Sequence, residues 1–431
     1  MRNHFVQRAL QIAAMAGIAA ASFGAPHVAS AQTIAITNVR VVVGTGPVYD
    51  KGTIIVRDGK IASVTNGAAQ IPAGAQVIDA NGMSAMPGFI DGHKHLVDGP
   101  TGKAWMQQLL EAGYTTVLIG GGNAEANLAL AKKTETGEYN GPRLLPCGPV
   151  RLRQSEADTR AAVQALVKLG IKNTCEIGVT PEPAPPQIEV DSLKIIVDEA
   201  KKAGIQVNVH AVSSPAMVAA IDAGVTRLVH LPNKDWTSYE QADAVTKAGA
   251  IVAGLIAFGA PNIDRQSSGP ATWQWPKDNT TRFRDGKPWP EAIAGANRDP
   301  KGRATGTEGG YTIINARRIW DADPDHRTIS YSTDQEGDDL MVLEHELKSF
   351  SIVFSMADIH RIIGPNAARF VGMENEIGSL EPGKRADIIL LDGDPTRNIY
   401  GMLKTKVVLK DGKVVVDKRP APAPAAGRRG R

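Results

Sequence analysis

Two histidines one residue apart, His93 and His95, close an apolar run that begins at Pro87. On an extended backbone, side chains at i and i+2 project to the same face, so both imidazoles can be offered to one metal ion. Imidazole is a favoured zinc ligand. Taken alone, a His-x-His pair also fits two surface histidines after a buried strand. Two further histidines shift that balance, because Val207–His210 and Arg227–His230 each place an imidazole at the end of an apolar run. Of nine histidines, His4 and His27 fall in an N-terminal leader-like segment. Four of the other seven, His93, His95, His210 and His230, sit at expected strand ends. His326, His345 and His360 fall in loop or helix and read as structural or surface residues. Four imidazoles converging on one mouth call for a metal.

The elements that must bring them together are legible. Short β-branched runs at residues 34–82, with the hairpin signal Asp58-Gly59, are mirrored near the other end by Ile388–Leu391, Val407–Leu409 and Val414–Val416 around Asp411-Gly412. Two such sets suggest one β-sandwich built from both chain ends. Between them strands alternate with helices, the pattern of a parallel sheet. The expected strands are Tyr114–Ile119, Arg143–Cys147, Asn173–Val179, Ile205–His210, Thr226–His230, Ile251–Ile256 and Thr328–Ser332. The expected fold is α/β: a (β/α)8 TIM barrel with active-site groups at the C-terminal strand ends. The domains read as 32–84 with 375–418 for the sandwich and 85–374 for the barrel, with an insert at about 257–327 and a disordered tail at 419–431. Gly120-Gly121-Gly122 is no phosphate cradle, because it lacks both the Gly-x-Gly-x-x-Gly spacing and a following Lys-Ser/Thr.

The stretch Pro87-Gly-Phe-Ile-Asp-Gly-His-Lys-His-Leu96 resembles the first-strand motif of the metal-dependent amidohydrolase superfamily, in its imidazolonepropionase and Xaa-Pro dipeptidase-like branch. Asn366-Ala-Ala-Arg369 and Gly378–Asp387 carry a second resemblance. The family implies the barrel, the sandwich and a divalent metal, Zn²⁺ by preference, as one ion or two. Thr333-Asp334 resembles the strand-eight aspartate that ligates metal and shuttles the proton; its alternative role is a helix N-cap. Relatives carry a carboxylated lysine on the fourth strand, where this chain departs. Glu176 occupies that place in register and also presents a carboxylate, with Lys172 as the alternative if the register slips. The implied metal ligands are therefore His93, His95, Glu176, His210, His230 and Asp334, with Asp334 and His230 as candidate catalytic residues. A divalent ion lowers the pKa of water from 15.7 to about 7, and an aspartate beside it can move the proton.

Such a site hydrolyses an amide, peptide or cyclic-amide C–N bond. A lactone or ester hydrolase could use the same groups, and a periplasmic metal- or ligand-binding protein with a degenerate site is the alternative from another class. A deaminase would need a separate acid/base glutamate, and no strong candidate stands out. The insert holds Trp273, Trp275, Phe283, Trp289 and Trp320 with Arg265, Arg282 and Arg284 interleaved. Trp273, Trp275 and Arg282 are candidate substrate contacts for a bulky or aryl amide; packing of the insert onto the barrel explains the same aromatics equally well.

Bulk properties exclude other classes. A net charge of +3, or +1 without Arg2 and Arg8, gives no nucleic-acid footprint. Residues 1–31 read as a secretory signal, with Ala29-Ser30-Ala31 as the cleavage site, so the mature protein is expected to be periplasmic or secreted and to have no membrane partner. Cys147 and Cys175 give no disulfide framework; a single bridge between them is one reading, and buried free thiols are the expected one. Assembly into a homo-oligomer is left open.

Overall fold

The computed structural model describes residues 33–257, 306–334 and 338–420. Strands β1 (Thr33–Val42), β2 (Val48–Arg57), β3 (Lys60–Asn66), β4 (Gln76–Asp79) and β5 (Ser84–Pro87) open the chain. The β2–β3 hairpin turns at Asp58-Gly59, both left-handed (φ 52° and 76°), as an Asp-Gly type I′ turn requires.

A run of parallel strands follows: β6 (Phe89–Lys94), β7 (Tyr114–Ile119), β8 (Arg143–Leu145) with β9 (Cys147–Gly148), β10 (Asn173–Thr174) with β11 (Ile177–Gly178), β12 (Asn208–His210), β13 (Arg227–Val229), β14 (Ile251–Gly254) and β15 (Ile329–Tyr331). Counting β8/β9 and β10/β11 as one broken strand each gives eight. Their ladders run in chain order: β6-β7-β8, β9-β10 and β11-β12-β13-β14-β15. No ladder among the described residues joins β15 to β6. Their ends meet through Asp334 N–H, which donates to the His93 carbonyl at 3.0 Å.

The crossover helices are α1 (Gly99–Ala112), α2 (Ala124–Thr136), α3 (Glu156–Leu169), α4 (Gln187–Ala203), α5 (Ser214–Asp222), α6 (Tyr239–Lys247) and α7 (Gly306–Asp321). Helices α1, α2, α3, α5 and α6 start at side-chain caps such as Asn123, Ser155 and Ser238, and α1 to α4 stop at left-handed glycines. Helices α8 (Asp339–Phe350), α9 (Met356–Arg361) and α10 (Ala367–Val371) then lead to β16 (Ile388–Leu391), β17 (Thr405–Lys410) and β18 (Lys413–Asp417).

The terminal strands form one eight-stranded sheet, in the order β18-β17-β16-β5-β1-β2-β3 with β4 also on β1. The strands expected to form a sandwich from both chain ends are thus joined by hydrogen bonds into one continuous sheet. β5 supplies the continuity, pairing parallel with β1 and antiparallel with β16. The sheet keeps its own core, in which Ile34, Ile36 and Ile54 meet Ile388, Leu390 and Val407.

Three expectations change. The fourth strand is not continuous from Asn173 to Val179. Cys175 N–H bonds Gly148 O and Glu176 N–H bonds Gly120 O at 3.0 Å, which breaks the ladder between β10 and β11. Cys147 and Cys175 are not free thiols but a disulfide, because the parallel pairing of β9 with β10 brings their Cα atoms to 4.7 Å. The expected insert is not irregular throughout, since α7 occupies Gly306–Asp321 and buries Trp320 against His326 and Phe354. Trp320 is thus a packing residue. Trp273, Trp275 and Arg282 lie outside the described residues.

Candidate metal centre

Each site residue follows from where its strand ends. β6 is buried along its whole length and delivers His93 at its end and His95 two residues on. The break in the fourth strand turns Glu176 inward, while Lys172 lies exposed before β10 at the opposite end of that strand. His210 closes β12, His230 follows β13, and Asp334 stands three residues past β15. His230 (φ 69°) and Asp334 (φ 47°) hold a left-handed backbone, which non-glycine residues adopt at a cost of roughly 1–2 kcal/mol each.

Glu176 lies at the centre. His210 Nδ1 is 2.9 Å from Oε2, a hydrogen-bond distance. His95 Nε2 is 3.3 Å from Oε1, and His93 Nε2 and His230 Nε2 are 3.6 and 3.7 Å from Oε2. Asp334 faces three of the same rings, with Oδ1 at 3.5 Å from His93 Nε2 and 3.4 Å from His95 Nε2, and Oδ2 at 3.7 Å from His230 Nε2. His93, Glu176 and His230 offer one compact set of donor atoms, and His93, His95 and Asp334 a second.

Electrostatics keeps the donors in ligating form. Burial pushes Glu176 up, but His210, His230, His95 and His93 outweigh it and hold its carboxyl well below the usual range. Burial also pushes Asp334 up, and the facing imidazoles, His93 foremost, pull it below its ordinary value. Burial drives His230 down to about 4, so at neutral pH its ring is uncharged with a lone pair to give.

The spacings test whether a cation fits. Direct N–H···O bonds close at about 2.7–3.2 Å. Two donors each 2.0–2.1 Å from one tetrahedral ion are instead about 3.4 Å apart. Six of the seven imidazole–carboxylate separations lie between 3.3 and 3.7 Å, and His210–Glu176 is the shortest at 2.9 Å. His93 Nε2 is buried and makes no hydrogen bond, a cost that a cation would remove. The donor set fits a divalent ion.

Several residues that shape the site were not singled out from the sequence. A Cβ on Gly120 would stand 2.3 Å from His93 Cε1, and one on Gly121 would stand 2.5 Å from His95 Cε1. These glycines are the seats of the two rings; the signal was a Gly-Gly pair ending the strand beside the His-x-His strand. Asp91, fully buried, accepts from His93 N–H at 3.1 Å and from the Thr333 N–H and hydroxyl at 3.1 and 2.6 Å. Of the remaining histidines, His360 Nε2 sits 3.0 Å from Pro395 O, His326 stacks on Trp320, and His345 is buried in α8.

Comparison with known proteins agrees with this architecture. Residues 84–415 match the model of the amidohydrolase family. The chain is 25% identical to an imidazolonepropionase of Geobacillus kaustophilus (strain HTA426), over 97% of this chain and 99% of that protein. Among solved structures, a prolidase crystallised with N-methylphosphonate-L-proline superposes with a TM-score of 0.69 at 20% identity, covering 90% of this chain and all of that one. Phenylurea hydrolase B superposes with a TM-score of 0.68 at 21% identity, covering 90% and 97%. The chain belongs to the amidohydrolase family.

Proposed function

We propose that the protein is a metal-dependent hydrolase that cleaves the C–N bond of an amide, peptide or cyclic amide. The observation that carries this reading is the gathering of four imidazoles and two carboxylates at spacings that suit ligands around a shared cation. His93, His95, Glu176, His210, His230 and Asp334 would hold one or two ions, zinc by preference for imidazole and carboxylate donors. An ion held by these residues would supply Lewis acidity to polarise the scissile carbonyl and activate water. Asp334, kept ionised at neutral pH, accepts the proton of the attacking water and returns it to the leaving nitrogen. His230, neutral and buried, stays a ligand rather than a competing base. Family membership and full-length likeness to an imidazolonepropionase support C–N hydrolysis.

The eight parallel strands are read as a closed barrel, supported by their order and by the Asp334–His93 backbone bond. The terminal sheet and its separate core are read as a second domain. Export from the cytoplasm is proposed, and the Cys147–Cys175 disulfide fits an oxidising compartment. Metal analysis of the purified protein, paired with a screen of acyl-amino acids, dipeptides, cyclic amides and lactones, tests the function. Stripping the metal should abolish hydrolysis and restoring it should return the rate. Full activity in metal-free protein overturns the proposal, and turnover confined to lactones moves it to C–O bonds.

A further inference from the structure

Behind the metal centre lies a buried ion pair that the chemistry so far does not use. Lys94 stands between His93 and His95, and its side chain is 1% exposed. Its Nζ lies 3.2 Å from Asp339 Oδ1, on a carboxylate equally buried, and donates to Thr333 Oγ1 at 3.2 Å. The Trp105 ring of α1 lies 5.4 Å from the ammonium.

A buried pair of this kind is an expensive way to fill space. Desolvation consumes much of the Coulombic gain, and apolar residues of similar volume often serve stability as well. Its value must be sought in what it fixes. Thr333 directly precedes Asp334 in the chain, and Asp339, the first residue of α8, comes five residues after it. Lys94 therefore grips the chain on both sides of Asp334. The Asp91 carboxylate grips Thr333 again, through its N–H and its hydroxyl. Asp334 itself is tied to His93 O. Every one of these anchors is on β6, the strand that carries His93 and leads into His95. The left-handed backbone of Asp334 is disfavoured by itself, so something must hold it.

We infer that Lys94 is a positioning residue: through Thr333 and Asp339 it sets where Asp334 stands relative to the imidazoles of the first strand. The inference rests on the functional reading above, in which Asp334 faces the metal and moves the proton.

Three variants test it: Lys94→Met, Lys94→Met/Asp339→Leu, and Thr333→Val. Each is measured for metal content, thermal unfolding, kcat and KM, and for the visible spectrum of the cobalt-loaded protein. Lys94→Met should lower Tm, because it removes the cation that faces the buried Asp339 carboxylate. It should keep its metal, hold KM within about threefold and lose about 10–100-fold in kcat, the scale of an ångström-level misplacement. Removing both charges in the double variant should recover Tm but not kcat, and its cobalt spectrum should stay displaced from wild type. Thr333→Val, which keeps the ion pair, should also lower kcat more than it changes KM.

Recovery of kcat together with Tm in the double variant would make the pair merely structural and overturn the inference. So would wild-type kcat and spectrum in Lys94→Met, or metal loss in step with kcat. If the single variant does not fold, the double variant and Thr333→Val still decide. If the wild type hydrolyses no substrate, the functional reading has failed, and the cobalt spectra alone report whether Lys94 places Asp334.

Discussion

Gly120→Ala is the smallest change that should dismantle the centre. The added Cβ would stand 2.3 Å from His93 Cε1 and 2.7 Å from both ring nitrogens. Ordinary contact begins near 3.4 Å, so ring and strand must separate by about 1.1 Å. His93 has little room to retreat, since its side chain is 2% exposed. Overpacking of this kind costs typically 1–3 kcal/mol, and a misplacement near 1 Å at a reacting centre costs about 100-fold in rate. Gly121→Ala makes a similar clash, 2.5 Å from His95 Cε1, but the His95 side chain is 44% exposed and can swing toward solvent. Gly178 lies on β11 beside His210. A methyl added there would meet nothing within 4 Å, and its backbone is not left-handed, so Gly178→Ala is the control.

The expected ranking is therefore Gly120→Ala far worst, Gly121→Ala intermediate and Gly178→Ala close to wild type. Metal per chain, measured by elemental analysis after exhaustive dialysis, should follow that order. So should kcat/KM on whichever substrate the screen identifies, with Gly120→Ala down at least ~100-fold. Thermal unfolding provides a readout that needs neither metal nor substrate. Gly120→Ala with wild-type metal content and rate would refute the reasoning, because His93 would then not need the seat the structure gives it. Equal damage in Gly178→Ala would refute it as well, by showing that any methyl in this layer is harmful.

The other predictions concern charge. Asp334→Asn preserves shape but removes the proposed proton acceptor, so the fully metallated variant should turn over at least ~100-fold more slowly with little change in KM; rescue by added metal would leave Asp334 a ligand only. Glu176→Gln should lower metal content and activity while Lys172→Ala, altering an exposed residue, leaves both near wild type; the reverse outcome would return the fourth-strand role to Lys172. Far from the site, Asp394 is pushed up by burial but drawn down to about 2 by Thr396 and Arg40, against an ordinary 3.8. A carboxyl depressed in the folded state stabilises above its unfolded pKa and loses that stability as pH falls through its folded pKa. Its contribution, about 1 kcal/mol once solvent screening is allowed for, should thus be present above pH 4 and gone once pH falls below about 2. The Tm gap between wild type and Asp394→Asn should close across that window, and a gap constant with pH would refute the linkage.

What the sequence made legible was local. Asp58-Gly59 and Asp411-Gly412 announce hairpins because left-handed turns select those residue types, and all four positions are left-handed. The strand-end histidines were visible because each follows an apolar run, and the structure brings all four around Glu176. What stayed hidden depends on partners distant in the chain. The Cys147–Cys175 bond requires the parallel register of β9 on β10, which neither segment encodes alone. The break at Glu176 requires Gly120 O as acceptor. Gly120-Gly121 looked like a loop signal because the rings that need the space belong to another strand. Lys94 read as a residue between two ligands, and its partners Thr333 and Asp339 lie some 240 residues away.

Exposure across the cluster bears on whether it reacts or merely binds. The His93 and His230 side chains are each 2% exposed and form a closed floor, whereas His95 at 44% and His210 at 33% open toward solvent. Structural metal sites are closed, while catalytic ones keep a position free for water or substrate. A binding protein would also gain little from strained backbone at His230 and Asp334, at roughly 1–2 kcal/mol apiece. It would have no evident use for an aspartate clasped through Thr333 and kept ionised beside the open rings. A closed floor, an open rim and an ionised carboxylate beside it are what the proposed hydrolysis calls for, and the residues come from five different strand ends. A parallel fold that gathers strand ends at one mouth is what brings these distant residues together here.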